Sequence, residues 1–109
     1  MRDSKLEAAD LDYANLRSAN FRNADLRRVR LADADLSDAD LVNADLTGAD
    51  LSGVNLSNTD LRNVNLQAIQ HWKNIRGIAK ANIRGVRNAP EGFVDWATQQ
   101  HAISIAGDE

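Results

Sequence analysis

Cysteine is missing altogether from this chain of 109 residues. Its absence excludes a disulfide framework and a thiolate metal site, and fits a reducing compartment. Proline occurs once, at Pro90, and the aromatics are confined to two Trp, one Tyr and two Phe. Long apolar runs are absent too. The start, Met1-Arg2-Asp3-Ser4-Lys5, has no apolar core of a signal peptide, and no stretch is long enough to span a bilayer, so the expectation is a soluble cytoplasmic protein without membrane association. Positive charge is missing over one block: residues 31–60 carry seven Asp and neither Lys nor Arg, whereas residues 1–30 carry seven Lys or Arg against five acids. The remainder reads as near balance, and the formal net charge is only −3. Such asymmetry concerns partner choice rather than fold.

What the chain does have is a period. Leu or Phe stands at every fifth position from Leu6 to Leu66, with a small residue two places earlier and Asp or Asn directly before it, except at Lys5 and Arg30. An α-helix turns about 100° per residue and would smear these leucines round its cylinder. In a plain strand an odd step would alternate them between faces. The chain must bend within each repeat: about three extended residues turn the small residue and the leucine inward, and Asp, Asn, Gly or Ser make the bend. No single repeat can bury its leucine, whereas stacked coils can, so the fold class is an all-β solenoid.

The runs AADLDYANLRSANFRNADL and ADADLSDADLVNADLTGADL resemble the pentapeptide-repeat family, whose repeat reads A-(D/N)-L-X-X. The resemblance covers about residues 4–68 and implies a right-handed quadrilateral β-helix with four repeats per coil. Residues twenty apart would then stack: Leu6, Leu26, Leu46 and Leu66 in one interior column, Leu11, Leu31 and Leu51 in a second, Leu16, Leu36 and Leu56 in a third, Phe21, Leu41 and Leu61 in a fourth. Expected boundaries are a β-helix over 1–88, with regular repeats at 4–68 and an irregular last coil at 69–88, followed by a capping helix and tail at 89–109. Apolar spacing at Ile69, Trp72, Ile75 and Ile78 fits a short helical turn or irregular coil, and Ala81-Asn82-Ile83 a displaced final repeat. Pro90 in a first turn, with Asn88 and Glu91 spaced as a capping box, predicts a helix from about Ala89 to Gln100, with extended pairing possible at Ala102–Ile105. Phe93 and Trp96 are its expected plug. ANIRGVRNAPEGFVDWA is similar to the ending of many bacterial members, a resemblance that implies a natural end here as an expectation. The first coil has no comparable lid: either that end is left partly open or another molecule covers it, and homodimerisation there or through the C-terminal helix is one hypothesis.

Asp33, Asp35, Asp38 and Asp40 put four carboxylates in eight residues. They lack the EF-hand glycine and terminal Glu, and no metal or other cofactor is expected. A leucine-filled rod offers no cleft to tune paired acids, and His71 and His101 are solitary, so catalysis is not expected. Arg17, Arg22, Arg27, Arg28 and Arg30 have only Tyr13 as aromatic company, too little for direct nucleic-acid binding. The expected role is a rigid, non-catalytic surface for an unknown protein partner, with Asp33, Asp35, Asp38, Asp40, Asp45, Asp50 and Asp60 as its outward acids. The resemblance implies an alternative, mimicry of DNA toward an enzyme such as a type II topoisomerase. This chain departs from such members in having few coils and a basic first coil and a half. A purely structural module is the third reading. Asp25 over Asp45 and Asp40 over Asp60 would repel mildly, and Arg30 between Asp10 and Asp50 would relieve its column.

Overall fold

A computed structural model describes residues 2–105; residue 1 and residues 106–109, the end of the expected tail, lie outside the described residues. The pentad at Ala34–Asp38 shows why the repeat has its composition. Ala34 N–H closes a turn on the Leu31 carbonyl at 3.0 Å, Asp35 N–H reaches back to Ala14 O at 3.0 Å, and Leu36 N–H reaches forward to Asn55 O at 2.9 Å. Asp38 N–H bonds Ser57 O at 3.0 Å. The fifth N–H, that of Ser37, has no carbonyl within reach and bonds the Asp35 Oδ1 at 3.0 Å. All five donors of the repeat are therefore satisfied, as a buried or half-buried backbone requires. The Asp or Asn before each leucine is thus a backbone partner first and a surface group second.

Each turn places one residue in the left-handed region, from Asp3 through Asp33 (φ 59°) and Asp38 (φ 64°) to Ala68. Together with the bond across the turn, a positive φ at the third residue is the type II signature. Because a turn recurs every five residues, no described stretch of sheet grows beyond one pairing residue per repeat: the contacts are isolated parallel bridges, each at the centre of the roughly three extended residues expected between bends. They join Lys5 to Asp25 to Asp45 to Asn65 on the first side, Asp10 to Arg30 to Asp50 to Gln70 on the second, Asn15 to Asp35 to Asn55 on the third, and Asn20 to Asp40 to Asp60 to Asn82 on the fourth. Four repeats close one coil, and the four leucine columns line its interior.

Leu31, Leu41, Leu46, Leu51, Leu61 and Leu66 are all at most 1% exposed. Ala34, Ala44, Ala49, Val54 and Val64 fill the remaining interior without any exposure, since larger groups would overpack there. In the lowest coil Leu6, Leu11 and Leu16 are only half-buried.

The last coil is longer. Asp50 pairs with Gln70, but Asn55 pairs with Gly77 and Asp60 with Asn82. One extra residue enters at His71, in the left-handed region at φ 59°, just before a 3-10 turn over Trp72–Asn74. The other enters as a bulge: Arg76 N–H bonds Val54 O while Gly77 O accepts from Leu56, so two residues oppose Asn55. The pairing then resumes, and a further segment covers it, Ile83 N–H bonding Ile103 O and Ile103 N–H bonding Ala81 O, each at 2.8 Å.

Helix α1 spans Phe93–Gln99, starting later than Asn88, Pro90 and Glu91 suggest. Gly92 is its N-cap at φ 86°, with no side-chain cap. Pro90 sits one turn earlier and offers its carbonyl to Phe93 N–H at 3.0 Å. Asn88 is drawn away from any capping role, its side-chain amide donating to Asn65 Oδ1 at 3.2 Å. Phe93 (1% exposed) and Ala97 are buried over the last coil. Trp72 and Trp96 flank Phe93, with ring centroids 5.6 Å apart for Trp72–Phe93 and for Trp72–Trp96, both edge to face.

Candidate interaction surface

The bridges distribute the seven expected acids around the coil. Asp33 and Asp38 occupy the two corners that bound the third side, with Asp35 between them, and Asp40 and Asp60 stack on the fourth. Asp45 lies on the first side and Asp50 on the second. Five of the seven thus gather on two adjacent sides, and the whole set forms a belt around the middle coils.

Position in the repeat decides how free each carboxylate is. Asp40, Asp45, Asp50 and Asp60 repeat the Asp35 arrangement, each accepting the backbone N–H two residues on at 3.0–3.2 Å. The Ser37 backbone N–H and then its hydroxyl hold the Asp35 carboxyl below its ordinary value. For Asp60, burial pushes upward, but the side-chain and backbone hydrogen bonds from Arg62 prevail and lower it. Asp33 and Asp38, at corners, accept no backbone bond among the described residues and are exposed. They are the acids best placed to meet a partner; Arg17 approaches Asp38 only to 3.8 Å.

The stacked acids are relieved by arginines one residue-column aside. Arg22 reaches Asp40 at 2.9 Å and Arg62 reaches Asp60 at 2.8 Å. Arg27 donates to Asp25 at 2.8 Å, which lowers the Asp25 carboxyl. Arg28 pairs with Glu7. Arg30 does not serve the column it stands in: its guanidinium bonds Asp12 Oδ2 at 2.7 Å. Asp12 Oδ1 then accepts the Ala32 N–H at 2.9 Å, the donor that an Asp at position 30 would have held. Asp12 from the coil below thereby restores what the exception at Arg30 removes. Arg17, Arg22, Arg27, Arg28 and Arg30 each have a carboxylate partner, so the basic end is largely self-neutralised.

The near-balanced charge of residues 61–109 conceals a basic ring. No acid stands between Asp60 and Glu91, and the longer last coil carries Lys73, Arg76, Lys80, Arg84 and Arg87, all exposed. Among the described residues these make no ion pair with a carboxylate. Lys73 lies 5.4 Å from the Trp72 ring centre. The signal was legible as an acid-free run, hidden only because the acidic tail shares the same third.

Among the described residues no three His, Asp or Glu side chains converge as metal ligands. A half-open hollow of about 200 Å³ lies between the bulged coil and α1, lined by Arg76, Gly77, Ile78, Trp96 and Gln100 among others. No described helix is long and apolar enough to cross a membrane.

Single-residue bridges in a register of twenty, an aliphatic interior and turns at every fifth residue define a stacked-turn solenoid. The family model described as pentapeptide repeats (8 copies) matches residues 1–38 and 30–67, and the chain belongs to that family, whose members are generally non-catalytic. A pentapeptide repeat protein from the Arabidopsis thaliana thylakoid lumen is 26% identical, with a TM-score of 0.63 over 81% of this chain. The match spans 61% of that protein's own length. A pentapeptide repeat protein from Nostoc PCC 7120 is 29% identical, covering 88% of this chain and 78% of the other, with a TM-score of 0.46. The family match and the Arabidopsis relative imply a right-handed β-helix solenoid. No curated protein matches the chain.

Proposed function

We propose that this protein is a rigid, non-catalytic docking surface for another protein, built as a four-sided coil closed at one end by α1. The observation that carries the proposal is the fixed grid of outward acids on the third and fourth sides. Asp33 and Asp38 stand exposed at corners, Asp38 with Arg17 at 3.8 Å, while Asp35, Asp40 and Asp60 are clamped by local hydrogen bonds. A surface already ordered loses little conformational entropy on binding. Its partner would present basic groups to the belt, and the basic ring of the last coil would meet an acidic or neutral margin. Mimicry of a DNA duplex has no observation of its own: the acids run round a belt on all four sides, and the Cα extents of 30 × 29 × 23 Å are those of a short block.

The test is a pulldown from the native host with wild type and a variant carrying Asn at Asp33, Asp35, Asp38 and Asp40. Asn retains the oxygen that holds the turn, so the fold is preserved while four charges disappear. Loss of specific partners supports the reading. An unchanged partner set overturns it and reduces the belt to a solubility feature.

A further inference from the structure

The lowest coil, Arg2–Asn20, presents an edge whose polarity is already set. In every higher coil the residue before each leucine turns both its N–H and its C=O toward the coil beneath: Asp35 N–H bonds Ala14 O, and Asp35 O accepts Leu16 N–H at 2.8 Å. Lys5, Asp10, Asn15 and Asn20 hold the equivalent places in the lowest coil. Among the described residues nothing lies beneath them, and the N–H groups of Asp10, Asn15 and Asn20 have no backbone acceptor. Above this edge Leu6, Leu11 and Leu16 remain half-buried. A residue offering N–H and C=O on the same side is what an antiparallel partner requires, because facing residues there exchange both bonds.

We propose that this edge pairs with the same edge of a second copy, head to head, about a two-fold axis across the coil. Turning one coil over reverses its winding, so the facing segments run antiparallel, and an isologous contact closes at two copies. A four-sided coil permits four such axes. An axis through the first and third sides opposes Lys5 to Lys5, and one through the second and fourth opposes Asp10 to Asp10. An axis through the Asp12–Tyr13 corner leaves both charges facing amides. Only the axis through the Glu7–Ala8 corner sets Lys5 against Asp10 of the partner subunit, twice by symmetry, with Asn15 against Asn20. Lys5 and Asp10 have no ion pair among the described residues, and although Asp10 Oδ1 accepts the Asp12 N–H at 3.1 Å, its Oδ2 and the Lys5 ammonium are available. The same axis brings Tyr13, at 77% exposure the most exposed large apolar residue described, against the corner formed by Arg2 and Asp3 of the partner subunit. A Tyr ring beside an arginine is a favourable contact. Charge complementarity thus selects one register from the four.

Sedimentation equilibrium on the 109-residue chain, at concentrations up to about 100 µM, reads the outcome directly. The expected result is a monomer–dimer equilibrium. Lys5→Glu and Asp10→Lys should each weaken the dimer about tenfold or more, since each change makes two like-charge contacts. The double variant should restore it. Rescue by the double variant is a readout that mere loss of folding cannot give. A monomer at all concentrations overturns the proposal. So does a dimer indifferent to Lys5 and Asp10 but weakened by Val94→Glu, which would place the interface on α1, and so do assemblies that grow beyond two copies.

Discussion

The carboxylate of Asp50 does one thing that its neighbours on the chain cannot: its Oδ1 takes the Ser52 N–H at 3.1 Å. Asp50→Asn keeps that oxygen and should leave stability unchanged to within a few tenths of a kcal/mol. Asp50→Ala abandons a half-buried donor and should cost about 1 kcal/mol. Urea titration separates the two; equal losses would mean that charge rather than turn geometry fixes the residue. Acid should act on the same arrangement. Asp25, Asp35 and Asp60 titrate below the ordinary carboxyl value of 3.8 in the folded chain. A depressed folded value means stability that is present above the unfolded value and is lost as pH falls through the folded ones. The unfolding midpoint in urea should therefore hold steady above about pH 4.5 and drop below about pH 3.8, with Asp35→Asn making the drop shallower. A midpoint that rises on acidification would contradict the hydrogen-bonding account.

Turns are the element in which this fold is written, and their demands differ from corner to corner. Ala8 and Ala68 adopt φ 61° and 57°, so this turn accepts a side chain in the left-handed region. Gly53 has a second constraint: a Cβ there would run into the Asp33 carboxylate of the coil below. Gly92, also left-handed, has open space around it. Gly92→Ala should cost about 1 kcal/mol from backbone strain alone. Gly53→Ala should cost more, and Asp33→Ala in the same chain should recover the excess. Absence of such coupling in a double-mutant cycle would dissolve the proposed contact. The elements legible in the sequence were those with a strict period. The leucine columns and the displaced repeat at Ala81–Ile83 follow from spacing, because each repeat is its own evidence. The helix start did not, since Pro90 and Glu91 fit a first turn equally well in a loop, and Gly92 closes the turn that they make. Nor did the Arg30–Asp12 exchange, which depends on a partner eighteen residues away. The single-residue pairings are a consequence of turn frequency that residue types do not announce.

The whole molecule is a graded stack: dry in its middle coils, plugged by Phe93 and its tryptophans above, half-wetted below. Leu41 is wholly buried, and Leu41→Ala should cost about 2–5 kcal/mol through the cavity it leaves. Leu11, in the lowest coil and only half-buried, should cost roughly half as much when cut to Ala. Equal losses at the two positions would deny the gradient. At this scale the candidate surface was legible in part. The acid-rich block was plain from composition, while its spread over four sides, and the basic ring above it, required the coil length and the bulge at Arg76–Gly77. Scalar coupling across hydrogen bonds, read by NMR from each amide nitrogen to its acceptor carbonyl, examines the stacking itself. The expected correlations run from Leu31 to Asp50, from Leu36 to Asn55 and from Leu41 to Asp60, each nineteen residues ahead. Correlations from those leucines to carbonyls four residues behind, or to carbonyls at any other constant separation, would contradict the twenty-residue coil.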